Sequence, residues 1–294
     1  MTVELRPAAD QRTSSRRPVA PKPSRTRMGR RLRTVVIVVG AAIMFFPFLW
    51  MVSTSLASDV DVFATPPRLL NSDPSSYRRL LADFPIARWA LNSAVVAVVG
   101  TTLQVLTSAM AAYGFARLRF RGRDALFALY LTTLMVPFQV LVVPLFIETR
   151  MLGLVDSFAA LLLPSIAWPF GVFLFRQAFL ALPSELEEAA FVEGAGHWTV
   201  FWRIVVPLSK PVLATGIVLA FMGIWNAFLW PLVAVNSPEL MTLPLGLANL
   251  QGRFVTQWNL VLAGATLSVI PIVAVYLFVQ RYVIEGVAST GIKG

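Results

Sequence analysis

ELEEAAFVEGAG, Glu185 to Gly196, is the stretch that decides how this chain is read. Four carboxylates and a run of small residues fill twelve positions, between two long apolar stretches. Ser184 is a good N-cap, and Glu187 three positions on completes a capping box. Glu185, Glu187 and Glu188 load the first turns, where the positive end of the helix dipole favours them. Ala190 and Gly194 lie four apart on one face, so another surface can approach closely there. Gly194 and Gly196 then end the helix. HWTVFWRIVVP, His197 to Pro207, follows as a second short amphipathic segment. Two readings fit this knob, a solvated acidic surface helix and a docking element, and composition alone balances them.

Its surroundings are those of a membrane protein. Of 294 residues, 57% are hydrophobic and only 14% charged, against about 25% charged in soluble domains. Six stretches reach the roughly 20 apolar residues that a spanning helix needs: about 34–57, 89–116, 125–147, 157–180, 208–235 and 261–284. The expected fold is all-α, with six transmembrane helices filling 34–284. A polar, Arg-rich tail (1–33) precedes them and a short tail (285–294) follows. The first apolar run is too long for a signal-peptide core, so it is read as a retained span.

Lysine and arginine set the orientation. Ten lie between Arg6 and Arg33, four in the 117–124 loop, and Arg176, Arg203, Lys210, Arg281 and Lys293 share that side, nineteen in all. The opposite side holds six: Arg68, Arg78, Arg79, Arg88, Arg150 and Arg253. Both termini and the 181–207 loop are therefore expected in the cytosol. The net charge of +10 becomes a positive-inside signal, with anionic lipid headgroups rather than nucleic acid as the basic tail's contact. The outer loops, about 58–88 and 236–260, read as a small structured lip and a stretch that dips back toward the membrane. Each fits a contact with an extracytoplasmic partner and a solvated connector equally well.

Inside the spans, Thr101, Gln104 and Ser108 share one face, and Gly100, Ala111, Ala112 and Gly114 supply small surfaces. Gln104 near mid-membrane needs a partner; pathway lining and helix–helix bonding both supply one. Trp225, Asn226 and Phe228 combine aromatic faces with one amide, the set that a polyhydroxylated ligand uses. The competing reading is an interfacial aromatic belt with Asn226 bonded between helices. Prolines 47, 137, 144, 164, 169, 231 and 271 sit in or near spans and can kink them.

Several chemistries are excluded. With no cysteine and one histidine, neither a thiolate nor a histidine-rich metal site is expected; no metal ligand is assigned. There is no G-x-x-x-x-G-K-[ST] phosphate loop. No carboxylate stands at a span centre, which argues against an ion-coupled transporter, and no base–nucleophile pair points to a membrane enzyme. What remains is a conduit powered by something else.

EAAFVEGAGHWTVFWRIVVP, Glu188 to Pro207, fits E-A-A-x3-G-x9-I-x-(L)-P, with Val206 in place of the usual Leu. It resembles the signature loop of permease subunits of binding-protein-dependent ABC importers. PFLWMVSTSL, LNSAVVAVVGTTLQVLTSAMAAYGFARLRFRGRD, WNAFLWPL and the ending EGVASTGIKG resemble the carbohydrate subfamily, in particular its maltose-permease-like second subunit. That resemblance implies the type I ABC importer permease fold in a bacterial plasma membrane, crossed several times. It implies a second permease, two ATPase subunits and an external solute-binding protein as partners. It also implies no cofactor in this chain, with ATP and Mg in the ATPases. The helix Ser184–Gly194 would dock in an ATPase cleft: Glu188 through polar contacts, Ala189 and Ala190 by packing, Gly194 by making the turn. Ile204 completes the pattern and Pro207 would start the next element. Gly291, Ile292, Lys293 and Gly294 would reach between the ATPases. A sugar is the implied solute, with a glycerophosphate-like or other polar solute as the alternative. Nothing in the family pattern accounts for the basic extension before residue 33.

Overall fold

The computed structural model describes residues 27–66, 68, 70–250 and 257–290, with side chains from Arg31 to Arg281 within those ranges. The basic tail before residue 27 and the ending Gly291, Ile292, Lys293 and Gly294 lie outside the described residues. Among those described there are helices and turns and no strands. The chain divides into two units, Met1–Phe48 and Leu49–Gly294.

The first unit holds most of α1 (Arg27–Ser55), which runs through Pro47 without ending. In the second unit, α2 (Ser75–Asp83) gives the 58–88 loop the structured piece expected of it. Two long helices follow the expected spans closely: α3 (Ile86–Arg117) and α14 (Trp258–Thr290). With α1 these are three helices long and apolar enough to cross a membrane unbroken. Three bent pairs bring the number to six if each crosses as one span.

Two of the prolines expected to kink spans break them outright. The expected span 125–147 is α4 (Arg123–Thr132) and α5 (Phe138–Met151), with a 3-10 turn at Thr133–Met135 and a bend of 100°. The cause is Pro137: the residue before a proline is pushed out of the helical region, and Val136 is extended at φ −86°, ψ 115°. Pro144, inside α5, causes no such break. The span 157–180 is α6 (Phe158–Leu162) and α7 (Pro169–Leu180), bent by 45°. Trp168, before Pro169, is again driven from the helix, at φ −133°, ψ 83°.

A break at membrane depth frees backbone carbonyls, which must find other donors. Helix α3 supplies them. Thr107 Oγ1 lies 2.9 Å from the Ile166 carbonyl, and Ser108 Oγ donates to the Trp168 carbonyl at 3.3 Å. Ser108 was expected on a polar face; its partner is this break.

The rest of the chain is α8 (Glu185–Val192), α9 (His197–Val200), a π-helical stretch Phe201–Val205, α10 (Val206–Leu208), α11 (Lys210–Trp225), α12 (Leu229–Ala234) and α13 (Leu243–Ala248). The segment His197–Leu208 meets α11 at 82°. The expected span 208–235 is thus α11 plus α12, interrupted at Asn226–Phe228. Helix α3 is central: it packs on α7 and α11, and α11 packs on α14. Small residues permit this. A Cβ added to Gly100 would come within 2.9 Å of Ile224 Cδ1, and Ala112 is fully buried. One core, around Phe175, Phe179, Phe201 and Val205, lies at the α8 end of the unit. Another, around Trp89, Phe221, Trp225 and Leu243, lies at the opposite end.

Candidate coupling site and membrane cavity

Helix α8 is about two and a half turns past its start when Gly194 stops it. Gly194 has φ +84°, a conformation that glycine adopts at little cost. Its N–H donates to the Phe191 carbonyl at 3.0 Å, and the Ala195 N–H donates to Ala190 at 2.9 Å. These are the two bonds of a Schellman ending. Ala190 and Ala195 both pack on the first core.

The start of α8 departs from the expected capping box. Ser184 makes no side-chain cap bond. Glu187 turns inward instead and is 6% exposed. Its Oε1 lies 2.7 Å from Nε of Arg117, the last residue of α3. A carboxylate that can reach a guanidinium gains more than one that reaches a backbone N–H. Arg117 Nη2 also donates to the carbonyls of Phe179, at 2.7 Å, and Leu182, at 2.8 Å. One guanidinium therefore ties the end of α3, the end of α7 and the helix α8. Burial pushes the Glu187 carboxyl above the ordinary glutamate range, against the pull of Arg117 and His197.

A second tie lies beside it. Tyr113 Oη and His197 Nδ1 share a hydrogen bond at 3.3 Å, and the Phe191 and His197 rings meet edge-on at 4.9 Å. The outward side of the knob is left open: Glu188, Ala189 and Gly194 are exposed, Val192 is 89% exposed and Trp198 62%. Ile204 is half-buried in the π-helical stretch. Pro207 continues α10, so the turn into the next helix falls at Ser209 rather than at Pro207.

The candidate pathway residues separate. Gln104 and Phe228 line one cavity of about 390 Å³, together with Ser165, Trp168, Trp230 and Thr242. Trp225 and Asn226 lie outside it. Trp225 is 2% exposed, stacks on Phe221 at 5.6 Å and donates its indole N–H to the Ser268 carbonyl of α14 at 3.1 Å. The structure corrects its reading to a lock between two helices. Asn226 stands at the break after α11 and donates to the Met222 carbonyl at 2.8 Å. Trp230 is buried and donates its indole N–H to the Ala160 carbonyl at 2.8 Å.

Four residues fasten α8 and α9 to α3: Tyr113, Arg117, Glu187 and His197; the sequence reading gave Glu187 only a capping role and assigned none of the other three here. Tyr113 and Arg117 are four apart at the end of α3, a helical spacing that faces one side. Arg117 is hidden in the sequence by RLRFRGR, where four arginines share one topological explanation.

Known proteins fit this architecture. Residues 104–289 match the family described as binding-protein-dependent transport system inner membrane component. The arabinooligosaccharides transport system permease protein AraQ of Bacillus subtilis is 38% identical over 70% of this chain and 74% of its own length. The lactose transport system permease protein LacG of Rhizobium radiobacter is 35% identical over 90% of this chain and 98% of its own. In three dimensions, a chain of a bacterial ABC transporter involved in import of the acidic polysaccharide alginate superposes with a TM-score of 0.75. It is 26% identical, over 89% of this chain and 99% of that one. An all-α membrane protein with a short, glycine-ended helix pinned beneath its central span, matched over most of its length, belongs to the binding-protein-dependent inner-membrane components, as a permease subunit of a carbohydrate ABC importer.

Proposed function

We propose that this chain pairs with a second, distinct permease and that α8 is the element through which two ATPase subunits drive the pair. Both termini and α8 are placed in the cytosol, on the nineteen-to-six division of basic residues. An external binding protein delivers the solute to the opposite side. ATP closes the ATPases, α8 moves with its ATPase, and the spans exchange an inward-facing packing for an outward-facing one. The solute is then released inward after hydrolysis. The tail Gly291–Gly294 contacts the ATPases, and the basic residues before Arg33 contact anionic headgroups.

The observation that supports this reading is the two-sidedness of α8. Its inner side is fastened to α3 and α7 through Glu187 and Arg117. Its outer side offers Glu188 and Ala189, both exposed among the described residues. A helix so held can transmit a push. Glu188 bears the polar contact to the ATPase and Ala189 packs in its cleft. Ala190, half-buried against the first core, supports the helix from behind.

The test is Gly194→Asp and Glu188→Lys. A Cβ at residue 194 would meet open space, but φ +84° strains any side chain there, aspartate less than most, so Glu188→Lys, which carries no such strain, separates lost docking from lost folding. Both variants are expected to insert, to lose ATPase co-purification and to abolish uptake. Retention of co-purification and uptake in Gly194→Asp would disprove the docking assignment. Uptake that survives deletion of the ATPase and collapses with an uncoupler would mark an ion-coupled transporter instead.

Transported solutes are taken to be neutral sugars or short oligosaccharides. Relatives of near-equal identity carry different sugar names, so the particular sugar is set elsewhere, most simply by the binding protein. A screen of sugars and of glycerol 3-phosphate against that protein identifies it.

A further inference from the structure

The cavity beside α3 contains two polar side chains with no partner. Gln104, the nineteenth of the 32 residues of α3, is 8% exposed, and its amide bonds to none of the described residues. Thr242 is 4% exposed, and its hydroxyl is buried without a partner. An amide at a cavity wall with no partner among the described residues is free to bond a molecule that enters. The remaining walls are mostly apolar and aromatic, with Phe138, Trp168, Phe228 and Trp230 among them, and no charged side chain among the described residues lines the cavity. The Trp230 indole N–H and the Ser165 hydroxyl are already committed to backbone carbonyls. Its volume of about 390 Å³ falls within the roughly 300–1,000 Å³ of small-molecule sites.

These features select a ligand class. An amide both donates and accepts, so it can bond two neighbouring hydroxyls at once. Aromatic walls accept the C–H faces of a ring. With no cation present, an anionic solute would be desolvated without compensation. We propose that this cavity is a subsite within this subunit for one neutral sugar ring of the transported solute, with Gln104 as the group that recognises its hydroxyls. The proposal rests on the importer reading above and adds that this permease itself touches the solute.

The chain has no cysteine, so Ser165→Cys places a unique thiol of this subunit on the cavity wall. The experiment uses the full complex of both permeases and both ATPases. It measures the labelling rate of Cys-substituted residue 165 by N-ethylmaleimide, with lactose, maltose, arabinotriose or glycerol 3-phosphate present. A neutral sugar is expected to slow labelling. Adding Gln104→Leu is expected to weaken the protecting sugar roughly threefold to tenfold, the loss of one ordinary hydrogen bond. Glycerol 3-phosphate is expected to protect in neither. The proposal is overturned by a thiol that never reacts, because a helix of the second permease then fills the cavity. It is equally overturned by labelling that no neutral sugar slows, by protection that Gln104→Leu leaves unchanged, or by protection from glycerol 3-phosphate. ATP hydrolysis stimulated by the loaded binding protein is recorded on the unmodified complex. Its absence sinks the importer reading itself, whereas its presence beside unprotected labelling sinks only the subsite.

Discussion

Helix α3 is fastened at both ends, and by opposite means. At its N-terminal end four neighbouring residues hold the 238–243 segment. Arg88 Nε donates to the Glu239 carbonyl at 3.1 Å and Trp89 Nε1 to Pro238 at 3.2 Å. Asn92 Nδ2 donates to Glu239 and Met241 at 2.8 and 2.9 Å, and Ser93 Oγ accepts from the Leu243 N–H at 2.7 Å. At its C-terminal end Arg117 alone of α3 pairs with α8, and it bonds the end of α7 beside the Phe115 carbonyl, which accepts from Arg176 Nε at 3.2 Å. Distributed, mostly neutral bonds make a static joint, because losing one leaves the others. A single guanidinium facing a buried carboxylate makes a joint that fails as a unit. On the proposed orientation and docking, the first suits a fixed frame on the outer side, and the second the place where a push from α8 would reach α3 and α7 together.

Breaking the inner joint is expected to give the largest effect. Arg117→Ala leaves Glu187 charged, buried and unpaired, a loss of about 3–5 kcal/mol. Uptake should disappear, and limited proteolysis should cut faster around Gly194–Gly196. Arg117→Ala with Glu187→Leu removes both charges and should recover most of the local protection. It should not recover uptake, since α8 is then unfastened. If the double variant is as protease-sensitive as the single one, the tie is not electrostatic.

The same joint predicts a pH slope. Burial raises the Glu187 pKa in the folded chain, so the folded state holds the proton more firmly than the unfolded one. The stability that goes with it is fully present below the ordinary glutamate value and is lost as pH rises through the raised one. Protection of the 185–196 segment, measured by hydrogen exchange, should therefore weaken on raising the pH above the ordinary glutamate range. In Glu187→Gln that slope should vanish.

The outer joint should yield less. Asn92→Leu removes two donors at once, worth about 1–3 kcal/mol, but Arg88, Trp89 and Ser93 remain. Faster cleavage within 236–250 is expected, with uptake reduced and not abolished. Complete loss of uptake would mean that this frame moves during transport, and the contrast between the two ends would fall.

What was legible in the sequence follows the range of the forces. Apolar run length and the glycine stops act over a turn or two, so α1, α3, α14 and the end of α8 at Gly194 could be read directly. Val136 and Trp168 were readable in principle, since each precedes a proline; the 100° bend was not, because a neighbouring helix decides whether a proline breaks a span or is accommodated, as Pro47 and Pro144 are. Glu187 was misassigned for the same reason. A local capping bond to its own helix competed with a guanidinium 70 positions away, and only the fold brings Arg117 within 2.7 Å. Trp225 and Phe228 look alike in WNAFLW, yet one locks α11 to α14 and the other lines the cavity, because the break at Asn226–Phe228 turns them apart.

The smallest expected effect is at Asp156, where another loop joins the outer frame. Asp156 has φ +63°, a conformation that costs most side chains and that Asp and Asn tolerate. Its Oδ1 accepts from the Asn236 and Ser237 N–H groups at 3.0 and 2.9 Å, and its Oδ2 accepts from the Ser237 hydroxyl. The Ser237 hydroxyl, then the two backbone donors, hold its carboxyl below the usual aspartate range. The sign is opposite to that of Glu187: the stability is present above the ordinary aspartate value and is lost as pH falls through the lowered one. Asp156→Asn keeps the backbone conformation and an acceptor, so neutral-pH uptake should be near normal while the acid sensitivity of the 235–240 segment disappears. Asp156→Ala keeps neither, and should loosen that segment at every pH. If Asn and Ala behave alike, neither the backbone conformation at 156 nor the bonds its side chain accepts from Asn236 and Ser237 carry weight in the outer joint.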